Sequence, residues 1–266
     1  MNLIVPGLNY PIVTEEIYKF IRDNVERAYA EGVVVGLSGG VDSSLTASLC
    51  VRALGRNNVL GVLLPTSFTP VQDTQDAEDL AKQLGIRTER VGIDRISQRF
   101  FEDLKVGIAS PVYNPVYRIP AGNIRARIRM TILYYYANLN NYLVAGTGDR
   151  SEALIGFFTK YGDGGVDFLP IVHLYKTQVR ELAEYLGVSQ SVAYKPSSPQ
   201  LYPGHKATDE IPLDYDELDR VLIGIFDKKL SPLQISGVLN IDPSIILEIQ
   251  RRFDCSNHKR VMAPGL

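Results

Sequence analysis

Cysteine is scarce in this chain. Cys50 and Cys255 are the only two in 266 residues, and no C-x-x-C pair exists. A disulfide framework and a cysteine-bound zinc are therefore excluded, and a reducing compartment is expected. No apolar run approaches the length of a membrane span, so no membrane partner is expected. The opening MNLIVPGLNYP lacks the basic and apolar regions of a signal peptide, which makes a cytoplasmic location the expectation. Excess charge is lacking too. A formal net charge of −2 argues against a protein that coats nucleic acid, and no such partner is expected. Internal repeats and low-complexity tracts are absent. What is present is 45% apolar residues, enough to bury a full core in one large domain or two small ones.

The chemistry concentrates in Gly36-Leu37-Ser38-Gly39-Gly40-Val41-Asp42-Ser43-Ser44, between the apolar run Val33-Val34-Val35 and a helical run from Ser44 to Leu54. Strand, glycine loop and helix in that order turn free N–H groups and a helix N-terminus toward one point, which favours an anion. Gly39 and Gly40 allow the backbone to approach a ligand closely. A carboxylate such as Asp42 repels phosphate unless a cation lies between, so the loop reads as a phosphate cradle with a magnesium ligand built in. A glycine turn with Asp42 and Ser43 merely capping a helix is the plainer alternative. No lysine follows the glycines as a Walker A loop requires, and G-x-G-x-x-G is absent.

The flanking pattern predicts a doubly wound parallel sheet of five strands. A helix spans Thr14 to Gly32, with Thr14 as its N-cap. Strands cover Val33–Leu37, Val59–Leu64, Arg87–Val91 and Tyr142–Gly146, with a short fifth at Phe168–Val172. Helices fall at Asp73–Leu84 and at Ile96–Val106, the latter with Phe100, Phe101 and Leu104 inward. Three prolines make Gly107 to Ala121 a loop. A long helix then runs from Asn123 to about Asn140, with a stripe of Ile124, Ile128, Ile132, Tyr135 and Leu139 that reads as core or as a dimer contact. Arg125 and Arg129 share a face of it, and Arg127 points roughly opposite. Thr147 and Glu152 follow a strand's carboxyl end, on the sheet edge that carries the cradle. The glycine-rich, charged Thr159–Asp167 segment suits a lid. Lys176 opens a helix to Leu186. A long loop, Lys195 to Pro212, precedes three short helices, two of which resemble a helix-turn-helix; sparse base-reading donors favour plain packing. One domain is expected, with a core over about 14–190 and a C-terminal loop and helices over about 191–266.

SGGVDSS resembles the PP-loop of ATP pyrophosphatases, which split ATP into AMP and pyrophosphate. With NIRARIRM, GTGDRSE, FFTKYGDGGVDFLPI, the Lys176 segment, the loop ending ATDE and His258-Lys259-Arg260, the chain resembles the ammonia-dependent NAD synthetases from Gly36 to its C-terminal end. The resemblance implies a Rossmann-like fold of the adenine nucleotide alpha hydrolase type. It implies that ATP adenylates the carboxylate of deamido-NAD and that ammonia then displaces AMP. Carried over by position, it assigns Gly36, Leu37, Ser38, Gly39, Gly40, Val41, Asp42 and Ser43, with Thr147, Lys176 and Ser198, to ATP. Ser197 is the alternative to Ser198, because PSSPQLYPGHKATDE departs from the family pattern. Asp42 and Glu152 would hold Mg²⁺, and Lys176 would stabilise charge as the α-phosphate is attacked. Arg127, Lys160, Asp167, His258 and Lys259 would contact deamido-NAD. The family is dimeric with its substrate across the subunit boundary, so a homodimer through the tyrosine-rich helix after Asn123 is implied.

Free ammonia is the expected nitrogen donor. Glutamine-using relatives add an amidotransferase domain with a nucleophilic cysteine, whereas here Cys50 falls inside the helix after the cradle and reads as a small buried hydrophobe. A tRNA thiolase or lysidine synthase would call for reactive cysteines or an RNA-binding domain. A non-catalytic nucleotide binder would have no need of Glu152 and Lys176.

Overall fold

The run Val33-Val34-Val35 is stiff at χ1 and apolar on both faces, which suits a strand sandwiched between helical layers. In the computed structural model, which describes residues 3–104 and 115–265, it forms the heart of β1, Gly32–Gly36. β2 (Val59–Leu63), β3 (Arg87–Arg90) and β4 (Tyr142–Ala145) join it in a parallel sheet of order β3-β2-β1-β4. Val34 lies between Leu60 and Val144 in register. β3 closes one edge with four exposed polar or charged residues, which discourages further pairing.

Along the chain, α1 (Tyr10–Arg27) precedes β1, and α2 (Val41–Leu54) and α3 (Val71–Leu84) connect β1, β2 and β3. α4 (Asp94–Asp103) and α5 (Pro115–Asn140) lead to β4. α6 (Arg150–Ile155), α7 (Lys176–Tyr185) and α8 (Gln190–Ala193) follow. The C-terminal part holds α9 (Tyr215–Leu222), α10 (Pro232–Leu239), α11 (Pro243–Cys255) and α12 (Asn257–Arg260). Ile17, Leu45, Leu49 and Leu182 cover one face of the sheet through Val33 and Val35. Ile93, Ile128 and Ala137 cover the other through Val34, Val62 and Val144. Each fully buried side chain of this size contributes roughly 1.5–3 kcal/mol. A separate cluster under the C-terminal helices takes Leu3, Leu218, Leu222, Ile235 and Ile249. Ile235, Ile246 and Ile249 are thus spent on packing, the plainer reading of the helix-turn-helix-like pair.

Several expectations need correction. The sheet has four strands among the described residues rather than five. Phe168 makes only an isolated bridge to Ala145, because Pro170 has no N–H with which to continue a ladder. α1 starts at Tyr10 with Pro11 in its first turn and Asn9 accepting from the Ile12 N–H at 3.4 Å. Thr14 is not a cap, since its hydroxyl donates back to the Tyr10 and Pro11 carbonyls at 2.8 and 3.0 Å. Gly32 does not end that helix. It opens β1, where a Cβ would lie 2.2 Å from the Asn58 carbonyl oxygen. α2 begins three residues early, at Val41, so Asp42 sits in its first turn. Pro115 to Ala121 is helix and not loop. Pro120 lies inside α5, in an exposed stretch (116–120) that precedes the buried Ala121 and Arg125. The remainder of that loop, 107–114, and the predicted end of the Ile96–Val106 helix lie outside the described residues. Phe100 and Leu104 are exposed, and the stripe on α5 turns outward at Tyr135 (62% exposed) and Leu139 (67%).

Candidate active site

The chain runs from β1 toward β2 and β3 on one side and returns to β4 on the other. The carboxyl ends of β1 and β4 therefore flank the point where strand order reverses, the place where open parallel sheets bind ligands. A cavity of about 410 Å³ opens there. All of Gly36 to Ser43 line it, together with Thr147, Glu152, Ser197, Ser198 and Lys259. The cradle is held by its own hydroxyls. Ser43 Oγ accepts from the Ser38 N–H at 3.3 Å and donates to the Gly40 carbonyl at 3.0 Å, and Ser44 Oγ donates to that carbonyl at 2.8 Å. Gly39 has φ +77°, and a Cβ there would meet the Asp73 carbonyl oxygen at 2.0 Å. Only glycine fits this contact between the cradle and the start of α3.

Behind the cradle wall lies a cage of charge. Lys176, 0% exposed, places Nζ 2.7 Å from both carboxylate oxygens of Asp42, 3.0 Å from Asp149 and 3.0 Å from Glu152. The ammonium also lies 5.0 Å from the centre of the Tyr215 ring. Burial works against the lysine's charge, but the three carboxylates outweigh it and hold its pKa well above the usual range. Glu152 and Asp149 shift upward, first because they are desolvated and then because carboxylates crowd them, although Lys176 pulls both back. Lys176 itself does not line the cavity; Asp42 and Glu152 do, and they stand between it and any ligand there.

Three helix starts build this cage. Asp42 lies in the first turn of α2. Asp149 caps α6, accepting from the Glu152 N–H at 2.8 Å, and the same turn aims Glu152. Lys176 opens α7, its N–H donating to Ser151 Oγ at 3.0 Å. Asp219 of α9 accepts from that Ser151 hydroxyl at 2.5 Å and from the Thr177 N–H and hydroxyl at 2.9 and 2.8 Å. Asp149 was readable in the sequence, since Asp-x-x-Glu ahead of a helix is a capping signature. Asp219 carries no such signal, because only the fold brings α9 to this corner.

The residues assigned to deamido-NAD form one patch with one outlier. Arg127 donates from Nε and Nη2 to the Lys160 carbonyl at 3.3 and 3.2 Å, and Lys160 Nζ donates to the His258 carbonyl at 2.5 Å. Lys259 Nζ donates to the Gly156 and Phe158 carbonyls at 2.8 Å each, and its pKa is lowered by burial. Of this patch only Lys259 lines the cavity; Arg127, Lys160 and His258 lie outside it. Asp167 stands apart, accepting from Tyr134 OH at 3.0 Å and from the Val144 N–H at 2.7 Å, which ties it to β4. Sequence reasoning left Lys195, Asp73 and Arg129 without roles, yet all three line the cavity. Arg129 donates to the Leu64 carbonyl at 3.2 Å. Arg125 is buried, donates to Leu201 at 2.7 Å, and lies over the Phe68 and Phe101 rings. Arg127 alone of the three is exposed, on the side roughly opposite Arg125 and Arg129.

The NAD synthase family profile matches residues 13–263. A curated relative, the NH(3)-dependent NAD(+) synthetase of Staphylothermus marinus, is 47% identical over 259 residues, covering 97% of this chain and 92% of that protein. Two solved structures are similar over 98% of this chain, each at 31% identity. One is an NMN synthetase from Francisella tularensis, at TM-score 0.83 over 99% of that chain. The other is an NH3-dependent NAD synthetase from Campylobacter jejuni, at TM-score 0.80 over 100% of that chain.

Proposed function

This chain belongs to the NAD synthase family, and from that premise we propose how its cavity carries out the reaction. The enzyme is a ligase that amidates deamido-NAD with ammonia at the expense of ATP, the last step in making NAD. The observation that supports this reading best is the meeting of the glycine cradle with Asp42, Glu152 and Thr147 in one cavity at the strand-order switch point.

ATP lies with its phosphates against Gly36–Ser43, where the N-terminus of α2 favours negative charge. Thr147 and Ser198 contact the nucleotide, with Ser197 beside them. The donor set suits magnesium, which takes one or two carboxylates and otherwise phosphate and water. Asp42 and Glu152 supply two carboxylates on the cavity wall, each about one-fifth exposed. A bound Mg²⁺ would offset charge on the phosphates there. Arg127, Lys160, Asp167, His258 and Lys259 bind deamido-NAD and bring its carboxylate to the α-phosphate. A carboxylate oxygen attacks that phosphorus, and the bond to pyrophosphate breaks with its electron pair leaving on pyrophosphate. Lys176, held behind Asp42 and Glu152, fixes these carboxylates on the cavity wall and offsets their charge. Ammonia then adds through its lone pair to the acyl carbon, the acyl–oxygen bond breaks, AMP leaves, and the nitrogen loses a proton. The core over about 14–190 and the C-terminal segment act as one unit, since Asp219 of α9 accepts from Ser151 and from Thr177 at the start of α7.

The deciding assay incubates the purified chain with ATP, Mg²⁺, deamido-NAD and ammonium and follows NAD and AMP. Equal yields of the two are expected. Preferential amidation of nicotinic acid mononucleotide would instead yield NMN, the product in the name of the Francisella relative. Free ammonia is the donor in this reading, and Cys50, wholly buried with its thiol pushed up to about 12 by burial, is no nucleophile. Robust NAD formation from glutamine by the chain alone, with free ammonia removed, would overturn it. Because NH₃ and not ammonium carries the lone pair, the rate at fixed, subsaturating total ammonium should climb with pH across the neutral range.

A homodimer through α5 is part of the proposal. Tyr135 and Leu139 leave apolar surface exposed on this helix, which also carries Arg127 more than two turns earlier. Sedimentation should give a dimer, and a fully active monomer would remove the partner from the deamido-NAD site.

A further inference from the structure

Asp73 poses an electrostatic problem for a cavity that takes a triphosphate. It lines that cavity from the first turn of α3, beside the cradle, with Asp76 one turn further on. At an effective dielectric constant of ~20, a like charge roughly 8 Å away weakens binding about thirtyfold. Lys195, at the start of the Ser-Pro loop, answers this. Its Nζ lies 2.8 Å from Asp73 Oδ1, donates to Asp76, and donates to the Gly39 carbonyl at 3.1 Å. All three side chains are mostly buried, at 22%, 12% and 14% exposure. Gln200 of the same loop donates to the other oxygen of Asp73, and Gln72 donates to Asp76 at 2.8 Å. One ammonium thus joins the cradle, α3 and the loop at the site where Gly39 and Asp73 already touch through their backbones.

We propose that Lys195 is a positioning residue for ATP: it fixes the cradle at Gly39 against α3 and screens Asp73 and Asp76 from the triphosphate. The surroundings agree with this. Burial works against ionisation of Asp76, yet the hydrogen bonds from Lys195 and Gln72 hold its pKa below the usual carboxylate range. Burial works against the Lys195 charge, but Asp73 and Asp76 outweigh it and raise its pKa. The pair therefore stays ionised through the neutral range, and the screening is permanent. Asp42 differs in kind, because its own lysine, Lys176, sits behind it and leaves its carboxylate facing the cavity.

This inference rests on ATP being the ligand of the cradle, and calorimetry separates the two. ATP titrated with Mg²⁺ into Lys195→Met should bind about ten- to a hundredfold more weakly than into wild type, with deamido-NAD binding unchanged. Lys195→Arg should restore most of the affinity. Adding Asp73→Asn and Asp76→Asn to Lys195→Met should recover at least half of the loss on a logarithmic scale, which a merely structural lysine would not allow. Should Lys195→Met fail to fold, Lys195→Gln keeps a donor for Gly39 without the charge and must show the same loss. Wild-type affinity in folded Lys195→Gln, or a triple variant as weak as the single, overturns the proposal. A wild type that binds ATP but makes no NAD sinks the functional reading and leaves this one standing. A wild type that makes NAD, with Lys195→Gln binding ATP normally, does the reverse.

Discussion

Lys176→Met should lower kcat by roughly two to three orders of magnitude, the range seen when one preorganised electrostatic group of a site is lost, because Asp42 and Glu152 lose the cation that holds them in place. The same change should cost stability. It leaves Asp42, Asp149 and Glu152 facing one another without their common cation, and breaking a buried pair in this way costs about 3–5 kcal/mol. That loss should depend on pH with a definite sign. Lys176 is what pulls the Asp149 and Glu152 pKa values down, so its removal raises them further. A carboxyl group whose folded pKa lies above its unfolded value binds more protons when folded. Stability then falls as pH rises from the unfolded value toward the folded one. The variant should accordingly lie closer to wild type in urea unfolding at pH 5 than at pH 8. A defect confined to the KM for ATP would instead assign Lys176 to uniform binding, with no part in the transition state.

Asp42→Asn and Glu152→Gln should each remove most turnover, on the order of a hundredfold or more, because the several kcal/mol a metal ion supplies depends on charged oxygen ligands. Neither change empties the cage, since Lys176 keeps two carboxylates in each variant, and thermal unfolding should stay cooperative. Raising Mg²⁺ should rescue part of the loss at subsaturating metal, a response that a general folding defect would not give. Glu152 adds a test in the wild type. Its carboxyl is shifted upward by desolvation and then by Asp149 and Asp42. A proton on this carboxyl competes with the metal, the more so as pH falls, although Lys176 opposes it. Apparent Mg²⁺ affinity should fall as pH is lowered on the acid side of neutrality, and the fall should vanish in Glu152→Gln. Normal activity in either variant removes its metal role.

Most of the cavity wall was legible from local sequence because its parts are strand ends and helix starts, where backbone geometry dictates residue type. Gly39 sits at positive φ where a Cβ would strike Asp73, and Asp42 sits in the first turn of α2. Thr147 and Glu152 follow β4, so pattern alone placed them on the cradle's edge of the sheet. Two expectations failed at prolines. Pro120 is carried inside α5 where it suggested a loop, and Phe168 makes a bridge but no strand because Pro170 has no N–H to continue the pairing.

The sequence by itself determined a parallel α/β core and a glycine loop at the carboxyl end of its first strand with Asp42 beside it, because these follow from hydrophobic period and from the few residues a tight turn at a helix start accepts. Only the tertiary structure decided that Lys176 lies in a cage behind Asp42 and Glu152, where its place outside the cavity sets what it can touch. It also decided that Asp219, from a helix beyond the long loop, secures the start of α7, and that Lys195 binds the cradle to Asp73 and Asp76. These contacts join groups 24 to 156 residues apart in the chain. No propensity or spacing encodes them, since each exists only because desolvation leaves the paired state as the stable one once the helices have packed.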